Sequence, residues 1–89
     1  MGVRKLNDEY FNVISKNLIK YRKLRNLSQP ELCKKLALLG INMFHNDIYR
    51  IEHNKKSVKD FELYAIAKVL NINMYDLLEG IDEKLNYDD

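Results

Sequence analysis

The sequence predicts an all-α protein, a compact bundle of five short helices. Apolar residues recur at intervals of three and four along the chain, which is the spacing that places them on one side of a helix. One proline and three glycines leave few of the turns that separate strands in a β-protein. The 89 residues are enough for one small domain and too few for two independent cores.

The first helix is predicted to begin near Tyr10 and to end at Leu24. Asn7 is its predicted N-cap, and Asn26 is the predicted left-handed residue at its end, where glycine is usual. Lysines lie elsewhere around this helix. Its apolar side is formed by Ile14, Leu18 and Tyr21.

The second helix has a clear start signal. Ser28 and Glu31 have the spacing of a capping box, and Pro30 falls in the first turn, where its missing N–H breaks no helical bond. Gly40 is the predicted end. The predicted inward residues are Leu32, Cys33, Leu36 and Leu39.

Three more helices follow. The third is predicted over 44–53, with an apolar stripe of Phe44, Ile48 and Ile51. The fourth is predicted to begin at Ser57 with Asp60 in the capping-box position. Its predicted inward residues are Leu63, Ile66, Ala67 and Leu70. The fifth runs over 73–78, and its two leucines are available to close the core.

The predicted domain spans residues 1–80, and residues 81–89 form an acidic C-terminal tail. Three states are open for the tail: a frayed helix, a dimerisation segment or a disordered end. Three alternatives are also open for an apolar set in this region: a dimer patch, closure of the domain's own core or disorder. The set consists of Tyr75, Ile81, Leu85 and Tyr87.

Composition excludes several classes of protein. No apolar run approaches the ~20 residues that span a bilayer, and the first residues do not have the pattern expected of a signal peptide. The single cysteine, Cys33, cannot form an internal disulfide, which predicts a cytoplasmic protein. Two histidines and one cysteine do not make a structural zinc site without carboxylates. Without a catalytic triad or a glycine-rich phosphate loop, we expect no enzyme, no cofactor and no small-molecule substrate.

The small net charge of +2 conceals an asymmetry. Residues 1–59 carry thirteen lysines and arginines against five acids, whereas residues 60–89 carry two against eight. A basic front part attracts a polyanion. The alternative is a solvated surface on which the two signs happen to be separated.

The third helix carries polar side chains opposite its apolar stripe. At helical spacing, His45, Asn46, Tyr49 and His53 project outward, with Arg50 further round. Asparagine can form a bidentate contact with adenine and arginine with guanine, and an α-helix fits the major groove of B-DNA. This side of the helix is therefore a candidate DNA-reading surface, and an ordinary solvated surface is the alternative.

Three motifs occur in order along the chain: Leu27-Ser28-Gln29-x-x-Leu32, Ile48-x-Arg50-Ile51-Glu52 and Ile66-Ala67-x-x-Leu70-x-Ile72. Together they resemble the Cro/repressor-type helix-turn-helix family, also called the xenobiotic-response-element or lambda-repressor-like family, over residues 14–78. The resemblance implies a five-helix DNA-binding bundle in which helices 2 and 3 form the helix-turn-helix. It also implies a homodimer on double-stranded DNA with a palindromic operator, and a third helix in the major groove.

The resemblance assigns roles to particular residues. The implied base-reading residues are His45, Asn46, Tyr49 and Arg50. The implied phosphate-binding residues are Gln29, Lys55 and Lys56, and Asn54 takes the usual glycine position in the turn before the two lysines. Arg22 and Glu52 match a pair that joins helix 1 to the end of helix 3, which would orient the third helix.

The sequence departs from the family pattern in three places. Residues 37–43 make a longer connection than the family's shortest turn. Phe44 stands where serine or threonine is the common N-cap, so Asn42 is a candidate cap instead. Asp47 places a negative charge near the expected phosphates. At the N-terminus of the third helix this charge would interact favourably with the positive end of the helix dipole.

These observations predict a sequence-specific DNA-binding transcriptional regulator, a repressor of bacterial or phage type. The alternative is a protein-interaction module, such as an antitoxin or an adaptor, for which DNA binding is secondary. The acidic segment after Gly80 motivates this alternative.

Overall fold

The computed structural model describes residues 4–6 and 10–87. Within these ranges the α-helices are α1 (Ser15–Leu24), α2 (Gln29–Ala37), α3 (His45–Glu52), α4 (Asp60–Leu70) and α5 (Met74–Leu78). A turn of 3-10 helix (Ile81–Glu83) follows, and strands β1 (Arg4–Leu6) and β2 (Leu85–Tyr87) form an antiparallel pair. The all-α, five-helix prediction is confirmed, and the short strand pair is a feature that the sequence did not predict.

One hydrophobic core holds the five helices together. Helix α1 packs against α3 and α5, while α4 packs against α2 and α5 and α2 also contacts α3. Each helix contributes at least one fully buried side chain, and each such aliphatic side chain stabilises the fold by about 1.5–3 kcal/mol. The largest fully buried side chains are Ile14, Leu18, Leu32, Leu36, Ile48, Ile51, Ile66, Leu70 and Leu77.

The first helix begins later than predicted, at Ser15 and not near Tyr10. Asn12 explains the difference, because its Oδ1 accepts a hydrogen bond from the backbone N–H of Ile14 at 2.9 Å. Such a side-chain bond gives the backbone a non-helical alternative. The predicted N-cap, Asn7, lies outside the described residues, whereas Asn26 has the predicted left-handed conformation with φ 57°.

The capping box of α2 is confirmed. Ser28 Oγ accepts from the N–H of Glu31 at 3.1 Å, and Glu31 Oε1 accepts from the N–H of Ser28 at 2.8 Å. The hydrogen bonds from Ser28 lower the pKa of the Glu31 carboxyl. The helix ends at Ala37, earlier than predicted, and a turn leads to Gly40 with φ 83°.

The fourth helix also begins later than predicted. Its N-cap is Lys59 and not Ser57, and the backbone N–H of Lys59 donates to Glu62 Oε1 at 2.9 Å. Asp60 is therefore the first helical residue and not the capping acid. The fifth helix begins as predicted, because Asn73 Oδ1 accepts from the N–H of Asp76 at 3.1 Å.

The segment after Gly80 folds back on the domain. Ile81 and Leu85 are half-buried and line an apolar cavity together with Phe11 and Leu78. Residues 85–87 pair with residues 4–6 in β2 and β1, with Leu6 opposite Leu85. The side chain of Tyr87 lies outside the described residues, and Tyr75 is 82% exposed. The apolar set predicted for this region therefore divides, with Ile81 and Leu85 closing the domain and Tyr75 facing solvent.

Candidate nucleic-acid interface

The inner face of α3 fixes this helix on the bundle. Ile48 and Ile51 have no exposed surface and pack in the core, and Glu52 is only 5% exposed. Met43, in the connection from α2, is also buried. With two isoleucines and a carboxylate buried on one side, the opposite side of the helix is necessarily presented outward.

The outer face of α3 consists of His45, Asn46, Tyr49 and Arg50, and all four side chains are exposed. At its C-terminal end the rings of Tyr49 and His53 lie 4.1 Å apart between centroids, tilted by 35°. This contact extends the face by one turn of the helix. The face offers amide, imidazole, phenol and guanidinium groups, which are the donor and acceptor types that base edges pair with.

A buried ion pair links α3 to α1. Arg22 Nε donates to Glu52 Oε2 at 2.6 Å and Arg22 Nη2 donates to Glu52 Oε1 at 3.1 Å, with side-chain exposures of 12% and 2%. Arg22 Nη1 also donates to the carbonyl of Leu27 at 2.8 Å, in the turn before α2. A single guanidinium thus joins α1, the turn before α2 and the end of α3. The resemblance implied the link between helix 1 and helix 3 but not the contact with the turn.

Gln29 belongs to the same junction. Its Nε2 donates to Glu52 Oε1 at 3.0 Å, so the first residue of α2 is tied to the last residue of α3. The Glu52 carboxylate therefore accepts three hydrogen bonds from two helices. The phosphate role suggested for Gln29 stays a prediction, and the structure adds a positioning role that the sequence did not indicate.

Asn12 is a positioning residue for this site that the sequence did not indicate. Its Nδ2 donates to the carbonyl of Ile51 at 3.0 Å and to that of Lys56 at 2.9 Å. Ser15 Oγ donates to the same Ile51 carbonyl at 2.7 Å. The segment before α1 thereby holds the C-terminal end of α3 and the loop after it. The available signal was a polar residue beside the core residue Ile14, which does not reveal a partner about 40 residues away.

The loop after α3 presents the two predicted phosphate-binding lysines. Asn54 has φ 56°, the left-handed conformation expected of a residue in the glycine position. Its Oδ1 accepts from the N–H of Phe11 at 2.8 Å, and the N–H of Lys55 donates to the carbonyl of Arg50 at 2.7 Å. Lys55 is exposed and Lys56 is half-buried. The backbone of this basic loop is thus fixed beside the end of α3.

Phe44 does not lie on the apolar stripe to which it was assigned. It is the N-cap of α3, with extended backbone angles of φ −97° and ψ 159°, and its side chain is 75% exposed. Helical periodicity fails here because an N-cap residue has left the helical conformation. Asp47 Oδ2 accepts from the Phe44 N–H at 3.0 Å, which gives Asp47 a capping role and makes Phe44, not Asn42, the capping position.

Cys33 lies on α2 and is half-buried. Burial raises the pKa of its thiol, and the negative charge of Asp47 adds to the increase. The thiol is accordingly held in its protonated form at neutral pH. Cys33 therefore acts as a small packing residue in contact with the core, as the sequence predicted.

Comparison with known proteins agrees with this geometry. The family described as the Cro/C1-type HTH DNA-binding domain matches residues 17–83. The fold is similar to the crystal structure of the hypothetical transcription factor NHTF from Neisseria, with a TM-score of 0.68 and 21% identity over 89% of this chain and 87% of that chain. No curated protein matches the sequence. Within the described residues, no helix is long and apolar enough to cross a bilayer. The chain belongs to the family of Cro/C1-type helix-turn-helix DNA-binding domains.

Proposed function

We propose that the protein is a sequence-specific transcriptional repressor that reads the major groove of its operator with the outer face of α3. The observation that supports this most directly is the exposure of His45, Asn46, Tyr49 and Arg50 on a helix whose other side is buried. In the helix-turn-helix arrangement the second helix of the motif lies in the major groove with its N-terminal residues at base edges. Asn46 would pair with adenine and Arg50 with guanine.

Phosphate contacts supply affinity in this proposal. Lys55 is exposed and Lys56 half-buried in the loop directly after α3, and Gln29 lies at the N-terminus of α2. The N-terminus of a helix carries the positive end of the helix dipole, which favours phosphate. Such contacts fix the register of the protein on the duplex, whereas the outer face of α3 discriminates among sequences.

A homodimer on a palindromic operator completes the proposal. Two copies would place two α3 helices about one helical turn of DNA apart, which is ~34–36 Å. Repression requires only that the occupied site overlap a promoter, so binding alone is sufficient. The site of action would be the cytoplasm of a bacterial host, where chromosomal or phage DNA is accessible. The proposed activity is binding and not catalysis.

The test is selection of bound sequences from a random or genomic DNA library, followed by titration of the selected site at several salt concentrations. We expect an inverted repeat, a specific affinity well above that for competitor DNA, and an affinity that falls steeply with salt. A reporter gene behind the selected site should be repressed. Absence of any preferred sequence, together with salt-insensitive binding, would overturn the proposal.

Purification of the protein from its native host distinguishes the alternative of an interaction module. An antitoxin or adaptor would be recovered with a stoichiometric protein partner, and its outer-face variants would keep that partner. Recovery with DNA and without a second protein supports the repressor.

A further inference from the structure

The structure assigns Phe44 to the DNA-reading surface, and we propose that its ring contacts the 5-methyl group of a thymine in the major groove. This inference rests on the proposed function, because it names a specificity-determining residue for the same interface. The ring is 75% exposed and immediately precedes His45 and Asn46, two residues of the outer face of α3. A large apolar side chain at that position faces water in the free protein.

The backbone of Phe44 is fixed, so the exposure of the ring does not come from a loose loop. Its N–H donates to Asp47 Oδ2 at 3.0 Å. Its carbonyl accepts from the N–H of Asp47 at 2.8 Å and from that of Ile48 at 3.3 Å. Because Ile48 is fully buried, this first turn of α3 is anchored in the core. The ring is therefore presented from a rigid position, which favours a defined contact.

The chemistry of the major groove suggests the partner of this ring. Each base pair presents hydrogen-bonding groups there, and thymine alone adds an apolar methyl group, which apolar side chains including phenylalanine can contact. The residues that follow Phe44 are polar and suit the hydrogen-bonding groups. Since the N-terminal part of the recognition helix lies closest to base edges, Phe44 is placed to cover a methyl group.

Removal of the methyl group alone tests the contact. In the selected operator, each thymine is replaced in turn by deoxyuridine, which keeps every hydrogen-bonding group and lacks only the 5-methyl. For the wild-type protein we expect about a fourfold loss of affinity at one thymine per half-site, the loss that corresponds to burying one methyl-sized group. Phe44→Ala should bind the thymine and deoxyuridine forms of that position equally.

Phe61→Ala is the matched control. Phe61 is 52% exposed and lies on α4, so its loss should leave the deoxyuridine profile unchanged. Phe44→Leu retains an apolar group and should keep part of the methyl preference. Melting temperatures of the Phe44 variants should equal that of the wild-type protein, because the ring is exposed.

Several results would overturn the inference. One is a wild-type protein that selects a site and tolerates deoxyuridine at every thymine. Another is a Phe44→Ala protein that keeps the wild-type methyl preference. Failure of Phe44→Ala and Phe44→Leu to fold would show that the ring supports the core and would also overturn it. A wild-type protein that selects no DNA sequence would overturn the proposed function itself, and is thereby distinguishable from failure of the Phe44 contact alone.

Discussion

The two sides of α3 are built from the same eight residues and differ in almost every physical property. On the inner side, Ile48 and Ile51 are fully buried and the carboxylate of Glu52 accepts hydrogen bonds from Arg22 and Gln29. The side chains of the outer face, such as Asn46 and Arg50, are exposed instead. The inner side therefore determines where the helix lies, and the outer side is free to determine what it binds.

Because the two sides of α3 differ in burial, substitutions on the inner side and on the outer face should have different effects. A change on the inner side should reduce the free energy of unfolding, and DNA affinity should fall as a consequence. A change on the outer face should alter DNA binding while the melting temperature stays constant. Measuring both stability and DNA affinity of a variant therefore shows on which side of α3 its side chain acts.

The largest effect is expected at Glu52. Glu52→Ala leaves the Arg22 guanidinium buried without its carboxylate, and removing one partner of a buried pair costs about 3–5 kcal/mol of unfolding free energy. Urea denaturation measures this loss. Glu83→Ala, which removes an exposed carboxylate after α5, is the control and should change stability little.

The double variant Arg22→Met, Glu52→Met sharpens the same comparison. Replacing both charges by apolar side chains removes the unpaired guanidinium, so stability should recover substantially from the single variant. If Glu52→Ala proved as stable as the wild-type protein, the ion pair would not be what holds the end of α3.

Asn12 is expected to have the second-largest effect. Asn12→Ala removes the donors to the carbonyls of Ile51 and Lys56 and the acceptor for the N–H of Ile14, at an expected cost of about 2–3 kcal/mol. Asn12→Asp should be at least as destabilising, because it places a carboxylate against two carbonyl oxygens. Denaturation of both variants, with the exposed Asn42→Ala as control, checks this order.

The sequence predicted the parts of this molecule that depend on local patterns. Five helices, the capping box at Ser28 and the left-handed Asn26 follow from short-range rules, and the structure has them. The turn position of Asn54 came instead from the resemblance to known DNA-binding domains. The Arg22–Glu52 pair came from the resemblance to known DNA-binding domains and is also present. The outer face of α3 followed from periodicity, because a regular helix with a buried stripe leaves only one side free.

The remaining features depend on tertiary contacts or on the ends of elements. Asn12 bonds to residues about 40 positions away, and β1 and β2 join the two ends of the chain, so no local pattern indicates either. Phe44 was assigned to the core because helical spacing was extended one residue past the start of the helix. Two helix starts were predicted too early, near Tyr10 for α1 and at Ser57 for α4. The Asn12 side chain keeps the backbone before α1 out of the helix, and the spacing of the capping motif before α4 does not reveal whether the backbone is extended.

On the outer face, substitution of Asn46 should change DNA binding without changing stability. Asn46→Ala should cost about 1–3 kcal/mol of discrimination at one base pair of the operator, as expected for a bidentate contact. Its melting temperature should match that of the wild-type protein, because the side chain is exposed. Affinity measured against operators with single base changes locates the position. A uniform loss at every sequence would instead assign Asn46 to the DNA backbone.

The smallest loss of DNA affinity is expected for Lys55→Ala, and the salt dependence of that loss is more informative than its magnitude. Lys55→Ala should weaken binding to all sequences alike and reduce the slope of log affinity against log salt by about one, because one fewer counterion is released from the DNA. Lys68 is another exposed lysine, on α4, a helix that packs against α2 and α5, so Lys68→Ala should leave the slope unchanged. A Lys55→Ala slope equal to that of wild type would remove Lys55 from the DNA interface.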